Sequence, residues 1–121
     1  MNLTDLNKLI NSELTTKIKN TNIENNELSI DVKVENLYQV ILFLKTDEKC
    51  KFKQLIDIAA ADYPDEEYRF EICYLFLSHE NNLRIKIIIN FTMSAINYKF
   101  IIPYTITLNT IKSNKVYYKA I

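Results

Sequence analysis

The sequence contains no glycine and no tryptophan, one histidine, two prolines and two cysteines in 121 residues. Each scarcity excludes something. Phosphate-cradling loops and the dinucleotide fingerprint need glycine where the backbone closes on a pyrophosphate, so a nucleotide or NADH loop of known type is absent. Cys50 and Cys73 stand far apart and in no metal-ligand spacing. That argues against both a zinc site and a disulfide framework, and Cys73 reads as a small packing residue within a strand. There is no charge of one sign either: fifteen basic residues balance fifteen acidic ones. A polyanion binder needs a basic face to neutralise phosphates, so general nucleic-acid binding is disfavoured. No apolar run approaches the roughly 18 residues of a membrane span, and no basic-then-apolar leader opens the chain. The expectation is a soluble, intracellular protein. The Asn-x-Thr triplets at Asn2 and Asn90 are read as chance matches.

What is present is an ordinary globular composition, 48% hydrophobic and 25% charged, in a chain of single-domain length. The clearest pattern lies between Phe52 and Ile89. Phe70, Ile72, Tyr74 and Phe76 alternate with Arg69, Glu71, Cys73 and Leu75, and Leu83, Ile85, Ile87 and Ile89 alternate with Arg84, Lys86 and Ile88. Period-two alternation of aromatic and β-branched residues predicts strands with one face on a core. The breaks are turns: residues 63–67 contain Pro64, and residues 79–82 end in Asn81-Asn82, where asparagine supplies the positive φ that glycine usually provides. Before them, Leu28, Ile30, Val32 and Val34 predict a strand. Leu37, Val40, Ile41 and Leu44 predict a helix from about residue 35 to 45.

Residues 2–19 predict an amphipathic helix with Leu3, Leu6, Leu9, Ile10 and Leu14 on one face and Ile18 at its edge. Asn2 or Thr4 would cap its start, and Lys17 and Lys19 would suit its C-terminal end. Residues 20–26 read as polar loop around Ile23. From Phe52 to Tyr63, Phe52, Ile56, Ile58 and Ala60 share one strand face. Leu55 falls on the other, which leaves a helical turn open for the first half. Ala59 to Ala61 suggest close approach by another element. Phe100 to Leu108 is strand-like, with Pro103 assigning it to an edge. The order helix, strand, helix, then three strands predicts an α+β two-layer sandwich.

Four sets of residues bear on chemistry. His79 sits at a hairpin tip beside Glu80, without a nucleophile at recognisable spacing, and reads as a solvated turn residue. The dense carboxylates Asp57, Asp62, Asp65, Glu66, Glu67 and Glu71 invite an acid–base or cation-site reading. However, Asp57 and Asp62 are five apart, which on a strand means opposite faces and roughly 16 Å of separation. Tyr98, Lys99, Phe100, Tyr104, Tyr117, Tyr118 and Lys119 mix aromatic and basic types as stacking platforms do, against the zero net charge. Arg69 and Glu71 share a strand face, and Arg69 is placed to pair with Asp62 across the hairpin. Such a surface pair contributes little to stability but can set the orientation of a docked partner.

Asp57-Ile58, Asp62-Tyr63-Pro64, Arg69-Phe70-Glu71, Tyr74-Leu75, Leu77-Ser78 and Arg84-Ile85-Lys86 stand in an order and spacing that resembles the 30-kDa-type subunit of the proton-pumping NADH:quinone oxidoreductase, complex I. Phe43-Leu44-Lys45-Thr46-Asp47 resembles the end of that family's preceding helix. The resemblance covers about residues 34–89. It implies a single domain built on a mixed β-sheet with two helices on one face. It also implies a non-catalytic structural subunit of the hydrophilic arm, supporting electron transfer from NADH to quinone. The expected partners are the 49-kDa-type subunit and other peripheral-arm subunits of complex I. The expected place is peripheral, on the cytoplasmic face of the bacterial inner membrane or the matrix side of the mitochondrial one. FMN, iron–sulfur clusters, NADH and quinone would belong to the assembly, with none bound by this chain. Asp62, Tyr63, Pro64, Arg69 and Glu71 are the candidate partner-interface residues, with no catalytic or metal residues. The family continues with a tryptophan-containing Glu-Arg-Glu segment, Asp-Met-Tyr-Gly and Asp-Tyr-Gly-Phe-Glu-Gly-His. None of these occurs here, so residues 90–121 are expected to be a divergent or truncated tail. Competing readings are the equivalent subunit of a membrane-bound hydrogenase, a small α+β interaction module unrelated to respiration, and a small hydrolase using Asp57 or Asp62.

Overall fold

The computed structural model describes residues 1–92 in full and two further strand segments, residues 99–102 and 117–120. The elements run α1 (Leu3–Glu13), β1 (Ile18–Glu24), β2 (Glu27–Val32), α2 (Leu37–Thr46), β3 (Gln54–Asp62), β4 (Phe70–Ser78), β5 (Leu83–Phe91), β6 (Lys99–Ile102) and β7 (Tyr117–Ala120). The first five strands form one sheet in the order β1-β2-β5-β4-β3. β2 and β5 are parallel, and the other neighbours are antiparallel. β6 and β7 form a separate parallel pair, with β6 beside α2. The expected α+β two-layer sandwich with a mixed sheet is therefore present.

Alternation decides the layers. Leu28, Ile30 and Val32 of β2, Phe70, Ile72, Tyr74 and Phe76 of β4, and Ile85, Ile87, Ile89 and Phe91 of β5 are buried. They join Leu6 and Ile10 of α1 and Leu37, Val40, Ile41 and Leu44 of α2 in one core cluster. The opposite sheet face, with Ser29, Asp31, Glu71, Cys73, Leu75, Leu77, Lys86 and Ile88, stays partly exposed.

The first helix is shorter than the sequence predicts. Asn2 caps it, its Oδ1 accepting from Asp5 N–H at 2.8 Å, which is the expected start. It stops at Glu13 instead of residue 19 because side-chain hydroxyls compete for the last carbonyls: Ser12 donates to Leu9 O at 2.9 Å and Thr15 donates to Asn11 O. Lys17 lies in the connecting turn, and Lys19 is already in β1 rather than at a helix end. Residues 20–24, expected as loop, belong to the edge strand β1, which holds only Ile18 and Ile23 as apolar residues and so shows no alternation. A tight turn at Asn25 (φ 52°) and Asn26 (φ 59°) joins β1 to β2. Two consecutive positive φ values are the type I′ signature.

β3 is a strand throughout, but its register shifts between Leu55 and Asp57. The bulge lets Leu55 and Ile58 both pack against the core while Ile56 is left 44% exposed. This is why Leu55 breaks the two-residue period, and it corrects the single-face reading of Ile56 with Ile58. The strand reading of residues 100–108, Pro103 included, lies outside the described residues beyond Ile102.

A candidate partner interface on the β3–β4 hairpin

β3 and β4 run antiparallel from Gln54 opposite Leu77 to Asp62 opposite Phe70. The hairpin closes through residues 63–69, with Pro64 and Asp65 in the turn. Tyr63 N–H donates to Arg69 O at 2.7 Å and Glu66 N–H to Tyr63 O at 2.9 Å. Proline suits this turn because its φ is preset and no N–H is required of it.

This closure brings the five candidate interface residues together. Arg69 grips Asp62 through two bonds, Nε to Oδ1 at 2.6 Å and Nη2 to Oδ2 at 2.9 Å. That fork geometry fits a carboxylate on both oxygens. The guanidinium holds the Asp62 carboxyl below its usual range, and the carboxylate in turn raises Arg69. The same guanidinium lies over the Phe70 ring, 5.2 Å from its centroid. On the outer sheet face the charge of the nearby Glu71 carboxylate pushes the Tyr63 phenol pKa up. The Cys73 thiol lies 3.7 Å from Glu71 Oε1. The hairpin end thus carries the Asp62–Arg69 pair towards one face of the sheet and Glu71 with the exposed Tyr63 (48% exposed) on the other.

Two further residues lie at this end of the sheet that the sequence did not connect with the hairpin. Lys19 of β1 reaches over the Tyr68 ring, 5.5 Å from its centroid. Tyr68 itself is 55% exposed. Between them and Lys33, Glu35 and Asn90 opens a cleft of about 420 Å³. Lys19 and Tyr68 are distant in sequence, and only the β1 strand brings the lysine to the loop. No local motif signals the pair.

The remaining candidates do not converge. Asp57 sits opposite Leu75 and Asp62 opposite Phe70, on opposite faces of the sheet, as the spacing predicts. Asp57 caps its neighbour instead, accepting from Ile58 N–H at 2.8 Å. His79 is exposed, with its Nε2 against Gln54 Oε1, while Glu80 pairs with Lys51 and Lys53. Among the described residues no group of three or more His, Cys, Asp or Glu is placed to hold a metal ion. No helix among them is long and apolar enough to cross a membrane. The side chains of Tyr98, Lys99, Phe100, Tyr104, Tyr117, Tyr118 and Lys119 lie outside the described residues.

Neither thiol is prepared for reaction. Burial, reinforced by the Asp47 carboxylate, pushes Cys50 up to about 12. Burial and then Glu71 also raise Cys73. With a pKa near 12, roughly one Cys50 thiol in ten thousand is ionised at about pH 8. Thiol labelling at that pH is therefore expected to be slow at both cysteines in the folded protein and rapid at both in denaturant, read by intact mass.

A family model for the respiratory-chain NADH dehydrogenase 30 Kd subunit matches residues 30–104. That span is more than half of the chain and contains the whole hairpin. The chain belongs to the complex I 30-kDa subunit family.

Similar relatives are NADH-quinone oxidoreductase subunits of bacteria. That of Mesorhizobium japonicum is 34% identical over 85 residues, covering 70% of this chain and 42% of its own length. That of Rhodospirillum rubrum is 36% identical over 85 residues, covering 70% and 40%. That of Dinoroseobacter shibae is 45% identical over 67 residues, covering 55% and 31%. The chain thus spans about two-fifths or less of these relatives. Among solved structures, a chain of the membrane-bound sulfane sulfur reductase, an archaeal respiratory membrane complex, has a TM-score of 0.65 and 15% identity. The match covers 95% of this chain and 69% of that one. That likeness is one of fold.

Proposed function

We propose that this chain acts as a non-catalytic structural subunit in the hydrophilic arm of a proton-translocating NADH:quinone oxidoreductase. In this reading it supports electron transfer from NADH to quinone without performing it, and it docks on the 49-kDa-type subunit through the β3–β4 hairpin. The observation that carries the reading is the family match over residues 30–104. The hairpin supports the docking surface. Asp62 and Arg69 are paired before any partner arrives, so the desolvation of docking falls on a pre-neutralised pair rather than on two bare charges. The chain would sit peripherally, on the cytoplasmic side of the bacterial inner membrane or the matrix side of the mitochondrial one.

The test is a tagged pull-down from native membranes with intact-mass analysis of the bait. The 49-kDa-type subunit is expected to co-purify. Arg69→Ala is expected to lower that recovery while leaving the urea unfolding midpoint nearly unchanged, because an exposed pair adds little to folding. Full expression with no respiratory subunit recovered would overturn the reading. Recovery unaffected by Arg69→Ala would remove the hairpin from the interface.

A further inference from the structure

β3 is the outermost strand of the sheet, and nothing among the described residues pairs with its free side. The direction of its unpaired groups follows from one bond. Tyr63 N–H turns inward to Arg69 O. In an antiparallel pair successive residues turn their N–H and C=O alternately toward and away from the neighbour, so Asp62, Ala60 and Ile58 turn theirs outward. Ile58 confirms this independently, since its N–H is taken by the Asp57 carboxylate and not by β4. The edge therefore presents a short ladder of donors and acceptors over residues 58–62, with one donor shielded by a neighbouring side chain.

Natural edges are guarded by charged side chains, proline, bulges or coverage; here the bulge lies at Ile56, before the regular run 58–62, and the charges are Asp57 and Asp62. β3, QLIDIAAAD, has neither lysine nor proline. At its bulge it carries the 44% exposed Ile56. The charges are graded along it. Lys51 and Lys53, before the strand, are both answered by Glu80. At the other end Asp65, Glu66 and Glu67 are exposed in the hairpin loop. An antiparallel second copy would bring only Lys51 and Lys53 to that acidic end, and both are already paired with Glu80. The complementary occupant is an extended segment with basic residues.

We propose that the free edge of β3 receives an extended, basic segment of a partner subunit, which adds a strand to the sheet with its basic residues beside loop 65–67. This rests on the reading of the chain as a subunit of the assembly, and it names how the partner is held: main-chain bonds at residues 58–62 and an apolar contact at Ile56.

The test uses the tagged chain assembled in native membranes, with a photo-cross-linking residue at position 56 and, separately, three substitutions. Ala60→Pro removes the outward donor without touching an inward one, Ile56→Lys replaces the apolar contact with a charge, and Ala60→Thr keeps the donor. The expected result is a cross-link from position 56 to a Lys/Arg-containing peptide of another respiratory subunit. Ala60→Pro and Ile56→Lys are each expected to lower subunit recovery by about tenfold or more, and Ala60→Thr by less than about twofold, a tenfold loss being one step of about 1.4 kcal/mol. Ile56→Lys changes an exposed side chain and keeps the test valid if Ala60→Pro fails to fold. Full recovery with both substitutions would overturn the edge proposal and leave the subunit reading standing. A cross-link to a second copy of the chain would overturn it in favour of self-pairing. Recovery of no respiratory subunit by the unsubstituted chain would remove the subunit reading, and the proposal with it.

Discussion

Phe76→Ala is expected to lower the free energy of unfolding by about 3–5 kcal/mol, which is about a fifth or more of the stability of a typical domain. Phe76 is 1% exposed on the helix-facing side of β4. It lies in register with Leu55 of β3 and Ile85 of β5, between two flanking strands. It also stacks with Tyr74, ring centroids 6.4 Å apart and planes 12° from parallel. Truncation removes the transfer energy of a large apolar group and leaves a cavity that neighbours fixed in a sheet close poorly. Leu75, one residue away but on the partly exposed face, is the control. Leu75→Ala should cost about 1 kcal/mol, near the centre of the distribution for point substitutions. Urea unfolding measures both. A Phe76→Ala midpoint shift no larger than that of Leu75→Ala would mean that the two faces of β4 are not distinguished as the burial pattern requires.

Asn81→Asp is expected to cost about 2–3 kcal/mol at neutral pH, the loss of net hydrogen bonds plus unsatisfied acceptors. The Asn81 amide donates to Lys49 O at 2.8 Å and Cys50 O at 2.9 Å, and reaches Ser78 Oγ at 3.2 Å. It thereby fastens the β4–β5 turn to the chain between α2 and β3. That chain is unusually bent: Lys51 has φ 52°, and Asp47 Oδ1 accepts from both Lys49 N–H and Cys50 N–H, at 2.9 and 3.2 Å. A carboxylate in place of the amide faces two carbonyl oxygens with no hydrogen to offer. The same surroundings would favour its protonated form and raise its pKa in the folded state. The deficit should therefore shrink as pH falls through that raised value, because the acid regains one donor. Urea unfolding at about pH 7 and about pH 4.5 checks this. A deficit that is small and independent of pH would show that the amide is not the clamp.

The two results address different levels of legibility. The place of Phe76 is readable from its own strand, since alternation with Glu71, Cys73 and Leu75 assigns it to the core side. The role of Asn81 is only half readable. The absence of glycine points to asparagines in turns, and Asn25, Asn26 and Asn82 do carry positive φ. Asn81 does not, and its work is done by a side chain reaching 31 and 32 residues back along the chain. The candidate interface cluster divides in the same way. Arg69 with Asp62 follows from a hairpin closing at Pro64, whereas Lys19 over Tyr68 depends on a strand the sequence hides.

That hidden strand marks the limit. β1 is an edge strand of mostly polar residues, held by pairing with β2 rather than by burial, so it leaves no hydrophobic period to read. Taken alone, the sequence determined which residues turn inward on β2, β4, β5 and α2, where the asparagine turns fall, and that the fold is α+β. It determined this because side-chain period encodes the face of an element. The tertiary structure alone decided that β2 lies parallel beside β5, that β1 completes one edge, and that β3 bulges at Ile56 and forms the other. Strand neighbours are chosen by contacts distant in sequence, and a period that fixes a face carries no record of which strand will lie alongside.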